Sequence, residues 1–187
     1  MDLHALVSDP VPYLDSGDAS VRRLAISACS GRVTEPIAAL LMQVLERDPE
    51  ARVRAEAAEI LAELGSAAID PLMAAKADPD GLVREAVATG FGEIEDRSAV
   101  PWLLAAAAAD PEKLVREAAV AALGAIGDDT AVPLLLVLVA TAPPQVRRRC
   151  VVALSVFDGP EIEAAVRAAR DDRNPMVREA AEMVIGH

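Results

Sequence analysis

The chain has 187 residues and a formal net charge of −12, with 53% hydrophobic letters but only 2% aromatic ones. Thirty-nine alanines, against two phenylalanines, one tyrosine and one tryptophan, argue against a β-sandwich or barrel and for an all-helical fold. At 26% charged residues the chain is too apolar to be disordered, and its acidic excess argues against nucleic acid and anionic membranes as partners.

The N-terminal MDLHALVSDP has an early acid and no basic stretch before an apolar run, so no signal peptide is expected. No uncharged stretch is long and unbroken enough to span a bilayer, and the expected location is cytoplasmic. Charge is uneven: residues 142–187 balance seven arginines against seven acids, so the whole deficit lies in residues 1–141. Cys29 and Cys150 sit in apolar helical runs, too few for a disulfide scaffold, and read as buried small hydrophobes.

A Val-Arg pair recurs at Val21, Val53, Val83, Val115, Val146 and Val177, with spacings of 30 to 32 residues. Taking each valine as position zero, positions 4, 7, 8 and 11 are mostly apolar, which is one face of an α-helix. Asp48, Asp78, Asp110 and Asp172 stand five residues before their valines, three of them followed by proline. Gly65, Gly127 and Gly159 lie near the end of this helix, where a left-handed cap is wanted. A second helix opens near Pro36, Pro71, Pro101 or Pro133, since proline is tolerated in a first helical turn. Six helical hairpins result, at about 2–32, 35–65, 68–97, 99–128, 131–158 and 160–187. The first carries Ser16 in place of the acid and two prolines, Pro10 and Pro12, in its first helix, so it reads as a cap. The fifth carries Thr141 there and reads TAPPQVRRRC, which predicts an irregular turn. One hairpin cannot bury both its apolar faces, so the expected fold is a single right-handed α-solenoid domain spanning residues 1–187.

The segments DPEARVRAEAAEILAELG, DPDGLVREAVATGFGEI and DPEKLVREAAVAALGAIGDDTAVPLL resemble HEAT repeats, specifically the short bacterial phycobilisome-lyase HEAT-like type. The resemblance covers roughly residues 10–187 and speaks for fold far more than for function. It implies a ladder of turn side chains, a role that Asp48, Asp78, Asp110 and Asp172 fit together with Arg54, Arg84, Arg116 and Arg178.

No catalytic residue, metal ligand or cofactor is expected. The two histidines, His4 and His187, lie at opposite ends of the chain, and there is no P-loop, GxGxxG or GxSxG. The chain lacks the His-Glu pairs by which HEAT-like deoxyhypusine hydroxylases hold iron. The basic run Arg147 to Arg149 has no interleaved aromatic, unlike the groove of a HEAT-like DNA glycosylase. Trp102 and Tyr13 follow helix-opening prolines, and Trp102 reads as packing.

What remains is a surface. The resemblance puts the Val-Arg helices on the concave side, with positions 2, 5, 6 and 9 outward. Small and apolar residues there, among them Ile26, Val120, Val151 and Val152, form a stripe rimmed by Glu59, Glu85, Glu117 and Arg148. Such a stripe suits a docked helix or extended peptide, and equally suits inner helices packed tightly on one another. The expected function is a non-enzymatic scaffold or adaptor for a protein partner of basic character. The alternative is a phycobilin lyase-like protein or a chaperone for a cofactor-bearing subunit. The chain itself is expected to be a monomer or a weak homodimer.

Overall fold

A computed structural model describes residues 2–186, and it is helical throughout: among them there are twelve α-helices and no strand. The chain divides into two compact bodies, Met1–Ile94 and Glu95–His187, each containing three helical hairpins.

In the first body the hairpins are α1 (Leu3–Ser8) with α2 (Ala19–Ser27), α3 (Glu35–Arg47) with α4 (Ala51–Ala62), and α5 (Ile69–Ala75) with α6 (Gly81–Ile94). The second body holds α7 (Val100–Ala109) with α8 (Lys113–Ile126), α9 (Val132–Thr141) with α10 (Pro144–Leu154), and α11 (Pro160–Ala168) with α12 (Pro175–Ile185). The second helices stack side by side, α2 on α4 on α6 in one body and α8 on α10 on α12 in the other. Pro36, Pro71, Pro101 and Pro133 all lie in the first turn of their helices, as the sequence predicts. Pro10 and Pro12 end α1 early, so that Val11–Tyr13 is a single 3-10 turn.

The core is aliphatic, with alanines filling the gaps between Leu, Ile and Val. Val53, Val83, Val115 and Val177 are sealed from solvent, and Leu61, Leu72, Leu103, Leu123, Leu135 and Leu154 lie among the largest fully buried side chains. Two glycines allow close helix approach. A Cβ on Gly124 of α8 would stand 2.8 Å from both Cα and Cβ of Ala153 in α10. A Cβ on Gly90 of α6 would meet Ala62 and Leu72 side chains at 3.1 Å. At Gly127 the backbone is left-handed (φ +62°) and closes α8, whereas Gly159 precedes α11 instead of ending a helix.

The turn aspartates do two jobs. Each accepts the backbone N–H two residues on: Asp48 from Glu50 and Asp110 from Glu112 at 2.9 Å, Asp78 from Asp80 at 2.9 Å, and Asp172 from Asn174 at 2.7 Å. That is an Asx turn leading into the next helix. Asp48, Asp78 and Asp172 also take both fork nitrogens of an arginine, and this arginine comes from the preceding repeat. Arg22 donates through Nε and Nη2 to Asp48 (2.6 and 2.9 Å), Arg54 to Asp78 (2.8 and 2.8 Å) and Arg147 to Asp172 (2.8 and 2.7 Å). The third donor, Nη1, satisfies a carbonyl of the arginine's own turn: Ser16, Asp48 or Ala142. Each guanidinium thus clamps its own turn to the next one. Arg22 and Arg147 are the buried charged residues of the described chain, and both are paired in this way. Neither belongs to the arginines that the resemblance selects.

The fifth repeat departs at its turn. Thr141 remains inside α9, and Ala142 takes the place that Asp48 and Asp110 hold at the ends of α3 and α7, its N–H bonded four residues back to Leu138. The turn is one residue shorter, because Ala142 lies four residues before Val146 where the aspartates lie five before their valines.

Candidate partner-binding surface

Position 6 of the Val-Arg helices is solvent-exposed in all six repeats: Ser27, Glu59, Thr89, Ala121, Val152 and Met183. Position 5 is not. Ile26, Ala58, Ala88, Val120 and Val151 are each 0% exposed, and only Glu182 at this position reaches solvent. The expectation that Ile26, Val120 and Val151 line a docking groove is therefore corrected: no partner can touch them. The reason is lateral stacking. At 100° per residue, position 5 lies 140° from position zero, outside a single amphipathic face but on the flank that abuts the neighbouring second helix. Ala55, at position 2, is buried for the same reason.

The remaining candidates reach the surface, to different extents. Glu59 and Arg148 are exposed, Val152 is 49% exposed, and Glu85 and Glu117 are half-buried.

In the first body a groove of about 340 Å³ crosses α2, α4 and α6. Arg23 and Arg52 lie at one side, Ala55 at the floor, and Glu56, Glu59 and Glu85 along its length. Arg23 donates to Glu56 at 3.0 Å, and the Ser27 hydroxyl also bonds Glu56. Glu59 has no such partner to neutralise it. Burial raises its carboxyl above the ordinary glutamate range, and the charges of Glu56 and Glu85 push it further. Arg23 pulls it back only in part, and Glu93 adds to the rise. Within this groove the Glu59 carboxylate is the acid whose ionised form burial and its neighbours disfavour. Glu56, at position 3, belongs neither to the apolar positions nor to the outward positions that the sequence singles out.

In the second body the corresponding surface is less charged and more apolar. Lys113 and Glu117, one turn apart on α8, approach to 3.4 Å. Val152 on α10 and Met183 on α12, at equivalent repeat positions, are 49% and 68% exposed. Arg148 flanks them on α10.

Neither cysteine offers chemistry. Cys29 is fully buried and its thiol is raised by burial, with only partial relief from Arg32; Cys150 is fully buried and pushed up to about 12. Both remain protonated at neutral pH, and thiolate is the reactive form. Among the described residues no group of three or more His, Cys, Asp or Glu side chains is arranged to hold a metal ion. His187 lies outside the described residues. Trp102 is half-buried in α7. No helix among the described residues is long and apolar enough to cross a membrane.

A family description of HEAT repeats matches residues 7–90 and 69–155, together most of the chain. The chain belongs to the HEAT-repeat family. No curated protein matches it significantly. Among solved structures, this HEAT-repeat chain is similar over its whole length to a chain in the complex of CpcE and CpcF of phycocyanin lyase from Nostoc sp. PCC7120 (TM-score 0.71, 22% identity, covering 76% of that chain). It is likewise similar to YIBA_ECOLI (TM-score 0.72, 18% identity, covering 99% of this chain and 74% of that one). A designed armadillo repeat protein in complex with the peptide (KR)4 matches at TM-score 0.66 and 17% identity, covering 100% of this chain and 99% of that one. At these identities the likeness is one of fold, a scaffold of stacked helical hairpins.

Proposed function

We propose that this HEAT-repeat chain is a non-enzymatic scaffold that holds a protein partner of basic character on the exposed faces of its second helices. The observation that carries the proposal is the groove across α2, α4 and α6, where the Glu59 carboxylate, raised by burial and by the nearby charges of Glu56 and Glu85, makes no ion pair of its own among the described residues. A lysine or arginine from a partner relieves that repulsion on binding, so its attraction is larger than to an isolated surface acid. The second body, taken by itself, offers exposed Val152 and Met183, apolar surface of the kind that forms the centre of an interface. The designed armadillo protein that shares the fold holds an alternating Lys-Arg peptide, which supports the same class of ligand here.

The test uses a labelled (Lys-Arg)4 peptide and fluorescence anisotropy at low salt. Glu59→Arg should weaken binding about tenfold or more, while Glu161→Arg on exposed α11 should have little effect. Equal loss in both variants would reduce the interaction to net charge and overturn the groove assignment.

The second reading, a lyase-like handler of a cofactor-bearing subunit, draws its support from the similarity to the CpcE and CpcF complex. Its distinguishing outcome is uptake of a tetrapyrrole by the purified protein, followed by absorbance. Self-association through the hairpins at either end is read out in the same preparation by sedimentation.

A further inference from the structure

The arginine forks of this chain repeat a single geometry, and two of them end differently: Arg178, which stands in the last repeat, and Arg116, which has a further repeat after it. In Arg22, Arg54 and Arg147, Nη1 is held by a carbonyl of the arginine's own turn, and this aims Nε and Nη2 at the aspartate of the next repeat. Arg116 on α8 has the first half of this arrangement: its Nη1 donates to the carbonyls of Asp110 and Pro111. The second half is missing, because the next repeat carries Ala142 where Asp48 and Asp110 stand. Among the described residues no carboxylate pairs with Arg116. The side chain is half-buried, so it is neither sealed in the core nor free to swing through water.

We infer that Arg116 is a recognition point for the carboxylate of an aspartate side chain brought by a partner polypeptide. The geometry argues for this chemistry: a planar guanidinium whose two remaining nitrogens lie side by side matches the two oxygens of a carboxylate. The orientation is fixed in advance by the Nη1 bonds, so little freedom is lost on binding. A methyl group at position 142 removes the side chain that fills the corresponding place in the other turns. One fork without a second cation holds a free small acid only weakly, whereas an aspartate tethered in a docked segment arrives at high local concentration. The site is separate from the acidic groove of the first body and calls for the opposite charge, so its test is independent of that reading.

The experiment follows arginine Nε–H resonances of the full-length 15N-labelled protein by NMR during titration with acetyl-aspartate N-methylamide at constant ionic strength. The Arg116 resonance, assigned by its loss in Arg116→Lys, should shift saturably, while those of Arg22, Arg54 and Arg147 stay fixed because they are already paired. In Ala142→Asp the missing acid is supplied in place, and the saturable shift should fall at least tenfold. A thermal melt of the same variant should show a higher Tm. An Arg116 resonance that moves no more with the aspartate derivative than with chloride, or that moves in step with exposed Arg148 and Arg149, would overturn the inference. Saturation by acetate but not by the blocked aspartate would overturn the polypeptide source.

Discussion

The two bodies are built from the same hairpin, three copies each, and differ in what they show to solvent and in how their turns are tied. Met1–Ile94 carries 16 acids against 8 basic residues, while Glu95–His187 carries 14 against 10. At the exposed position 6 the first body has Ser27, Glu59 and Thr89, and the second has Ala121, Val152 and Met183. Inside the first body, Arg22–Asp48 and Arg54–Asp78 tie its three turns in sequence; in the second, among the described residues, Arg147–Asp172 is made while Arg116 lacks an acid in the next turn. Where the charged rung is missing, α8 and α10 meet through Gly124 and Ala153 at near-backbone contact. The difference teaches that one repeat frame tolerates two ways of fixing neighbouring hairpins. One is a directional ion pair at the turn, and the other is steric closeness along the helices.

The comparison is broken most severely at Gly124. Gly124→Val places a branched side chain against the Ala153 backbone, which cannot rotate away, and should destabilise the protein by about 3 kcal/mol or more in urea unfolding. Gly90→Ala in the first body meets only side-chain atoms at 3.1 Å, and the better helix propensity of alanine offsets the crowding, so its unfolding midpoint should hardly move. Comparable losses from both would mean that close approach is not peculiar to the second body.

Next in size is the removal of a rung. Asp78→Ala leaves the Arg54 guanidinium, whose side chain is only 12% exposed, without its carboxylate, at a cost of about 3 kcal/mol. Arg116→Ala removes no ion pair, since none is made, and should cost about 1 kcal/mol through lost hydrogen bonds to the turn. Similar values for the two would erase the distinction between paired and unpaired forks.

Acid titration acts on both bodies. Burial by itself would push the Asp78 carboxyl up, but the Arg54 guanidinium and the Asp80 amide outweigh it and hold the group below the usual range. The Arg147 hydrogen bond, against an opposing burial effect and with help from the Asn174 amide, does the same for Asp172. Carboxyls depressed in the folded state bind protons more readily when unfolded. Their stabilisation is therefore complete above the unfolded value of about 3.9 and is lost as pH falls through the lower folded values. Melting temperature should drop below about pH 4, and the drop should be smaller in Asp78→Asn.

The smallest effect concerns Glu59, whose carboxyl is raised by burial and by neighbouring glutamates. A raised acid weakens the folded state while ionised, and the penalty disappears as pH falls through the folded value. Glu59→Gln should raise Tm slightly at pH 7 and leave it unchanged near pH 4. A lower Tm at pH 7 would remove the case that burial and its neighbours disfavour the ionised Glu59.

Most of the fold was legible in the chain. The recurring Val-Arg spacing, the apolar positions after each valine and the helix-opening prolines are local signals, and they placed the hairpins correctly because helix formation depends on neighbours three and four residues away. The surface was legible only in part. Glu59 and Val152 were placed correctly at the exposed position 6, but Ile26, Val120 and Val151 were assigned outward and are buried. A one-helix wheel contains no information about the second helix that packs on its flank.

The same division runs through the rest of the molecule. By itself the sequence determined an acidic, alanine-rich chain of helical hairpins with an aspartate at most turns, since composition, period and capping chemistry act within a few residues. Only the tertiary structure decided that Arg22, Arg54 and Arg147 reach forward to the next repeat, that Ala142 and not Thr141 occupies the turn position of the fifth, and that Arg116 is left without an acid. Those facts depend on contacts between residues about 25 apart, where the direction of stacking and the length of a single turn fix which charges meet.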